Sequence, residues 1–189
     1  ALGIAALPFT GMAYAIVKGK YNFHVRKVSL TLENLPKAFE GLTITQVSDF
    51  HIGSFNSHDA VQKGIDLVNQ QKSDLIFFTG DLVNKVAAEV RGFEPILSQL
   101  KARLGVYSVL GNHDYGDYAS EIQTDADWEA HFQDMLATHE SLGWRLLRNE
   151  HEIIREGADS LAVIGVENWG RFNSHTNYGN LKQACEGTA

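Results

Sequence analysis

ITQVSDFHIG, residues 44–53, decides how the rest of the chain is read. The β-branched stretch LTITQVS, 42–48, predicts a strand. It runs out into Asp49, and His51 follows two places later. In an extended chain, residues i and i+2 point to one face. A carboxylate and an imidazole are therefore aimed together where a strand ends, which is half of a metal site.

Working outward, SHDAVQKGIDLVNQQ, 57–71, carries apolar positions at 61, 65 and 68 and predicts a helix with Ser57 as its N-cap. DLIFF, 74–78, reads as a strand buried on both faces. Residues 87–103 read as a helix and GVYSVL, 105–110, as another buried strand. A second helix is expected over 125–142, with Trp128, Phe132, Met135 and Leu136 as its core stripe. WRLL at 144–147, HEII at 151–154 and SLAVIGV at 160–166 predict three later strands. Upstream, NFHVRKVSLTL, 22–32, alternates apolar and polar and predicts a strand with one wet face. The centre is thus strand–helix–strand–helix–strand. Such crossovers pair strands in parallel, and ligands bind beyond the carboxyl ends of the strands.

Each central strand ends in a polar cluster: Asp49-Phe50-His51, then Gly80-Asp81, then Gly111-Asn112-His113-Asp114. The intervals are 32 residues from Asp49 to Asp81 and 31 from Asp81 to Asn112. Each is about one βα unit of roughly 30 residues, so adjacent strands deliver all three clusters to one sheet edge. Carboxylates and imidazoles suit manganese, iron or zinc. Asp49 and His51 can hold one divalent ion, Asp81 can bridge to a second, and Asn112 offers that second ion a carbonyl oxygen. Two ions about 3.5–4 Å apart can bind a hydroxide and clamp an in-line phosphoryl displacement. His113, next to Asp114, is free for proton transfer to a leaving oxygen. A carboxylate can hold such an imidazole in one tautomer. Asn112 and His113 are also the residues expected to meet the substrate.

The formal net charge is −7, which argues against nucleic acid as a partner, because such binders are usually basic. The single cysteine, Cys185, excludes an internal disulfide and a cysteine-based zinc site. The chain begins at Ala1, and its first 17 residues carry no charge. That length is near the lower limit for a membrane span. Residues 1–20 are expected to be the end of a membrane-anchoring segment, and 21–189 the domain that follows. Lys18, Lys20, Arg26 and Lys27 follow the apolar run, which favours the cytoplasmic face.

The ordered set DFH 49–51, GD 80–81 and GNHD 111–114 resembles the calcineurin-like metallophosphoesterase superfamily, in its bacterial membrane-associated branch, over roughly residues 42–170. The resemblance implies an α/β fold, a four-layer α/β/β/α sandwich with two mixed sheets. It also implies that Asp49, His51, Asp81 and Asn112 ligate two metals, and that His113, backed by Asp114, is catalytic. The superfamily signature continues with a lone His and GHxH. No GHxH occurs here, so the sandwich is expected to be incomplete at its C-terminus and the chain alone weak or inactive. His24, His58, His131, His139, His151 and His175 are expected to be structural or surface residues rather than substitutes. Structural roles are likewise expected for Asn56, Tyr115, Asn168, Trp169 and Arg171. The implied activity is metal-dependent hydrolysis of a phosphomonoester or phosphodiester, on a phospholipid or a lipid-linked envelope substrate. The competing expectation is a non-catalytic scaffold of the same fold that binds a protein partner.

Overall fold

The computed structural model describes residues 19–170 and 177–188. Four strands form one parallel sheet in the order β1 (Ile44–Val47), β2 (Leu75–Phe78), β3 (Val106–Ser108) and β4 (Arg145–Leu146). A second sheet is the antiparallel pair β5 (Glu150–Glu156) and β6 (Asp159–Gly165). The helices are α1 (His58–Gln70), α2 (Glu94–Leu97), α3 (Asp125–Ser141) and α4 (Leu181–Ala184).

Side-chain alternation along β2 explains the layers. Ile76 and Phe78 enter a core with Val61 and Ile65 of α1 and Phe132 and Met135 of α3. Leu75 turns the other way, into a second core with Tyr107, Leu147, Ile154 and Val163, and Phe77 packs against it. Successive strand residues face opposite sides. The apolar run is therefore continuous because helices cover one face and the second sheet covers the other.

Both long helices start where their caps dictate. Ser57 Oγ accepts from Ala60 N at 3.3 Å. Thr124 Oγ1 accepts from Asp127 N at 3.1 Å, and the Asp127 carboxylate accepts from Thr124 N at 2.9 Å. This reciprocal pair satisfies two of the amide donors that a helix start leaves open.

Two expected elements do not form. Residues 22–32 make no strand; Val28 and Leu30 are each 80% exposed. A strand needs a neighbour for its amides and carbonyls, and among the described residues none lies alongside. Residues 87–103 break into a 3₁₀ turn at Ala87–Val90 and the single turn of α2. Pro95 has no amide to continue the helical ladder and would crowd the carbonyl of residue 91.

The expected membrane segment, 1–20, lies almost wholly outside the described residues, as do Arg171 and His175. Among the described residues, no helix is long and apolar enough to cross a membrane.

Register fixes what the sheet presents. Val47 pairs with Phe78, Phe78 with Ser108, and Ser108 with Leu146. The ends of β1, β2 and β3 therefore stand in one row, and their polar clusters leave the sheet side by side.

Candidate metal centre

The loops after β1 and β2 continue the ladder as they leave the sheet. Asp49 N donates to Gly80 O at 3.0 Å, and His51 N to Asp81 O at 3.0 Å. Asp49, His51 and Asp81 all adopt left-handed backbone, with φ of 54°, 45° and 57°. Non-glycine residues rarely adopt this region, and it costs free energy. The extended geometry expected for Asp49 and His51 is therefore replaced by two left-handed turns with an ordinary residue between them.

The loops after β2 and β3 touch backbone to backbone. Gly80 has φ of 98°, and a Cβ there would lie 2.4 Å from Gly111 N. A Cβ on Gly111 would lie 2.2 Å from Asp81 Oδ1. Only glycine at both positions allows the two loops to close.

Inside that junction His51, Asp81 and His113 converge, one ligand atom from each lying within 4.8 Å of the others. His51 Nε2 is 3.8 Å from Asp81 Oδ2. The His51 and His113 rings meet edge to face at 4.6 Å. Asp81 Oδ1 accepts from His113 N at 3.0 Å, so one carboxylate oxygen steadies the β3 loop while the other faces His51. One hard carboxylate with two imidazoles in partly buried positions is a donor set that fits a borderline divalent cation. Among the described residues this cluster is the candidate site for such a cation. Asp49 is exposed on the same loop and lies outside the three-residue cluster. Asn112 opens the 3₁₀ turn Asn112–Tyr115, and its Nδ2 donates to Tyr118 OH at 2.9 Å.

His113 Nδ1 is 2.6 Å from the Asn84 carbonyl. A carbonyl only accepts, so Nδ1 carries a proton, and Nε2 is the ring nitrogen left for other partners. The imidazole is thus oriented by a backbone oxygen and not by Asp114, as the sequence pairing had implied. Asp114 is fully buried and does something else. Its Oδ1 accepts from Leu82 N and Val83 N, and its Oδ2 from Asp81 N and Gly111 N. Burial pushes this carboxyl up to about 7, while the Gly111, Val83 and Leu82 amides pull the other way. Asp114 therefore ties the β2 and β3 loops together beneath the cluster.

Two contributors carry no sequence motif. Asn84 acts through its main-chain oxygen, which any residue could supply. Glu89 accepts from Asn84 N at 2.7 Å and Lys85 N at 3.0 Å, so it shapes the loop that presents that oxygen. Spacing on the chain signals neither.

Four other histidines among the described residues take structural places. His131 Nε2 lies 3.0 Å from Asp114 O, His151 Nδ1 lies 3.0 Å from Ala184 O, and His58 stacks on Phe93 at 4.4 Å. His139 is buried against Phe78 and Trp144. Tyr115 is core, stacked on Tyr178 at 4.3 Å, and Trp169 is exposed. Asn56 accepts from Tyr21 OH.

A family profile described as calcineurin-like phosphoesterase matches residues 42–183. A transmembrane protein with metallophosphoesterase domain from Bos taurus is 30% identical over 171 residues, covering 86% of this chain and 36% of that protein. Its Danio rerio counterpart is 31% identical over 110 residues, 58% of this chain and 25% of that protein. The UDP-2,3-diacylglucosamine pyrophosphatase of Chlamydia trachomatis is 36% identical over 91 residues, 46% of this chain and 28% of that enzyme. The chain thus spans about a quarter to a third of the length of these relatives.

Proposed function

The chain belongs to the calcineurin-like phosphoesterase family, and from that premise we propose that it serves hydrolysis of a phosphomonoester or phosphodiester at the junction of the β1, β2 and β3 loops. The observation that carries this reading is the convergence of His51, Asp81 and His113, the first two of them on left-handed backbone. In this proposal Asp49, His51, Asp81 and Asn112 would hold two divalent ions, and His113 of the cluster is kept for the substrate. Cations held there supply an acidified water and neutralise charge on the phosphoryl oxygens. His113, anchored by Nδ1 on the Asn84 carbonyl, would in its doubly protonated form use Nε2–H to bind a phosphoryl oxygen or pass that proton to the leaving oxygen. Asn112 and His113 meet the substrate. Asp114 acts on the loops that carry these groups.

The substrate class proposed is a membrane phosphate, a phospholipid or a lipid-linked precursor. Residues 1–20 are proposed as the end of an anchoring segment, and 21–189 as part of the catalytic domain. Three observations support this. Two relatives are named as transmembrane proteins, and a third acts by its name on a diacylated nucleotide sugar. The uncharged lead precedes Gly19. The residues after the lead pack on the loop that follows His51: Lys20 Nζ donates to Ser54 O at 2.7 Å, and the Tyr21 and Phe23 rings lie against Phe55. An anchor on that lead keeps the centre close to the bilayer. The cytoplasmic side rests on the basic flank alone.

The intact carboxylate–imidazole cluster favours an enzyme over a scaffold. The test is calorimetric titration of the chain and its Asp81→Asn variant with Mn²⁺, alongside turnover of bis(p-nitrophenyl) phosphate. Loss of a ligand is expected to weaken manganese binding at least about tenfold. Equal isotherms for the two proteins overturn the metal reading. Strong manganese-dependent turnover by residues 1–189 alone overturns the proposal that they form only part of the catalytic domain.

A further inference from the structure

We propose that Tyr118 is a positioning residue of this centre: its hydroxyl fixes the Asn112 amide, and its ring fixes the His113 imidazole. The inference rests on the metal reading given above and adds a residue that none of the strand-end motifs contains.

Two contacts carry it. Asn112 Nδ2 donates to Tyr118 OH at 2.9 Å. An amide side chain presents nitrogen on one side and oxygen on the other, so a phenol that accepts from Nδ2 turns Oδ1 away from itself. A metal takes the oxygen and not the NH₂. Without an acceptor for Nδ2, the amide is free to flip and spend part of its time with the wrong atom toward the cation. The second contact is the Tyr118 ring, stacked on the His113 imidazole at 4.2 Å with an interplanar angle of 16°. The His51 ring stands across the same imidazole at 89°. With Nδ1 tethered to Asn84 O, the imidazole is held by one hydrogen bond, one stacked ring and one perpendicular ring. That leaves it little freedom about χ2.

The chain is folded back to make this possible. Gly116 takes φ of 81°, and a Cβ there would lie 2.5 Å from Ile122 Cδ1 and 2.8 Å from His131 Cδ2. Ala119 N donates to Gly116 O at 2.9 Å, closing the turn. Tyr118 therefore returns over His113 instead of running on toward α3. Groups that orient a metal ligand typically change affinity by about 10–100-fold when removed. A neutral amide ligand places the expectation at the lower end.

The experiment separates the two contacts. Tyr118→Phe keeps the ring and removes the acceptor, while Tyr118→Leu removes both. Each is titrated with Mn²⁺ by calorimetry beside the wild type and Asp81→Asn, and each is melted without metal. Proton NMR follows the His113 C2–H signal in the metal-free chain, because a stacked phenol shifts it upfield. The expectation for Tyr118→Phe is manganese affinity about tenfold weaker, an unchanged melting temperature and an unmoved His113 signal. For Tyr118→Leu, the His113 signal moves downfield as well. If Tyr118→Phe binds manganese as the wild type does while Asp81→Asn is weakened, the positioning role is overturned and the metal reading stands. If the wild type and Asp81→Asn bind alike, the metal reading fails and this inference fails with it. A His113 signal that ignores Tyr118→Leu overturns the stacking half.

Discussion

Lowering the pH should unfold this protein through His139, a residue away from the candidate centre. His139 lies on α3, fully buried, with Nδ1 2.9 Å from Ser108 Oγ on β3. Its ring sits beside Phe78 and Trp144, and its Nε2 is buried with no hydrogen-bond partner among the described residues. Burial holds its pKa down to about 4, against 6.5 for an ordinary histidine. Because the folded pKa is depressed, the unfolded chain takes up a proton that the folded chain refuses. Stability is fully present above the unfolded pKa and falls as pH drops from about 6.5 toward about 4. Between about pH 7.5 and about pH 4.5 this one group should remove about 2.5 kcal/mol, with a slope that approaches one proton. The assay is urea unfolding of the wild type and His139→Leu across that range. The variant loses the Ser108 contact and is less stable at neutral pH, so the quantity that matters is the slope. The wild-type curve should fall more steeply by about 2.5 kcal/mol. Parallel curves would refute the reasoning, because they would mean that the buried ring protonates without unfolding.

The other predictions concern backbone. Gly80→Ala should cost at least about 1–3 kcal/mol from the left-handed backbone alone. The close approach to Gly111 N adds to that, and weakened manganese binding in calorimetry should accompany the drop in the urea midpoint. Thr124→Ala removes the hydroxyl that caps α3 and should cost about 1 kcal/mol in urea unfolding, with manganese binding untouched.

The parallel sheet was legible because its signals are strong and local. LTITQVS, DLIFF and GVYSVL are β-branched or apolar runs bounded by turn residues, and β1, β2 and β3 fall inside them. The spacing of about one βα unit then placed Asp81 and His113 beside His51 without any coordinates. What failed had different causes. NFHVRKVSLTL has the period of a strand, but a strand is a property of a pair, and periodicity says nothing about the partner. Residues 87–103 have helical composition, but one proline at 95 outweighs it. Adjacency in sequence does not make Asp114 the partner of the His113 ring, which takes the Asn84 carbonyl instead. In a 3₁₀ turn, neighbouring side chains point apart, and Asp114 goes down to the amides at 81–83 while His113 faces the centre. Asn84 and Tyr118 were illegible for a plainer reason. One contributes only a carbonyl, and the other comes back through a glycine turn.

The left-handed residues give the DxH spacing a physical meaning other than the one the extended chain suggested. Among the described residues, five non-glycine positions have positive φ, and three of them are Asp49, His51 and Asp81. Each costs free energy, on the order of 1–3 kcal/mol, so something must hold it. The holding groups are two backbone bonds, the Asp49 amide on Gly80 O and the His51 amide on Asp81 O, and one buried side chain, the Asp114 carboxylate across the amides of 81–83. None of these bonds involves an atom that would bind a metal. The cluster is therefore assembled by its loops before any cation arrives, and the ligand side chains have little ordering left to do on binding. That is a reason for the motif to sit at strand ends, where the ladder can still supply the bonds that keep strained residues in place.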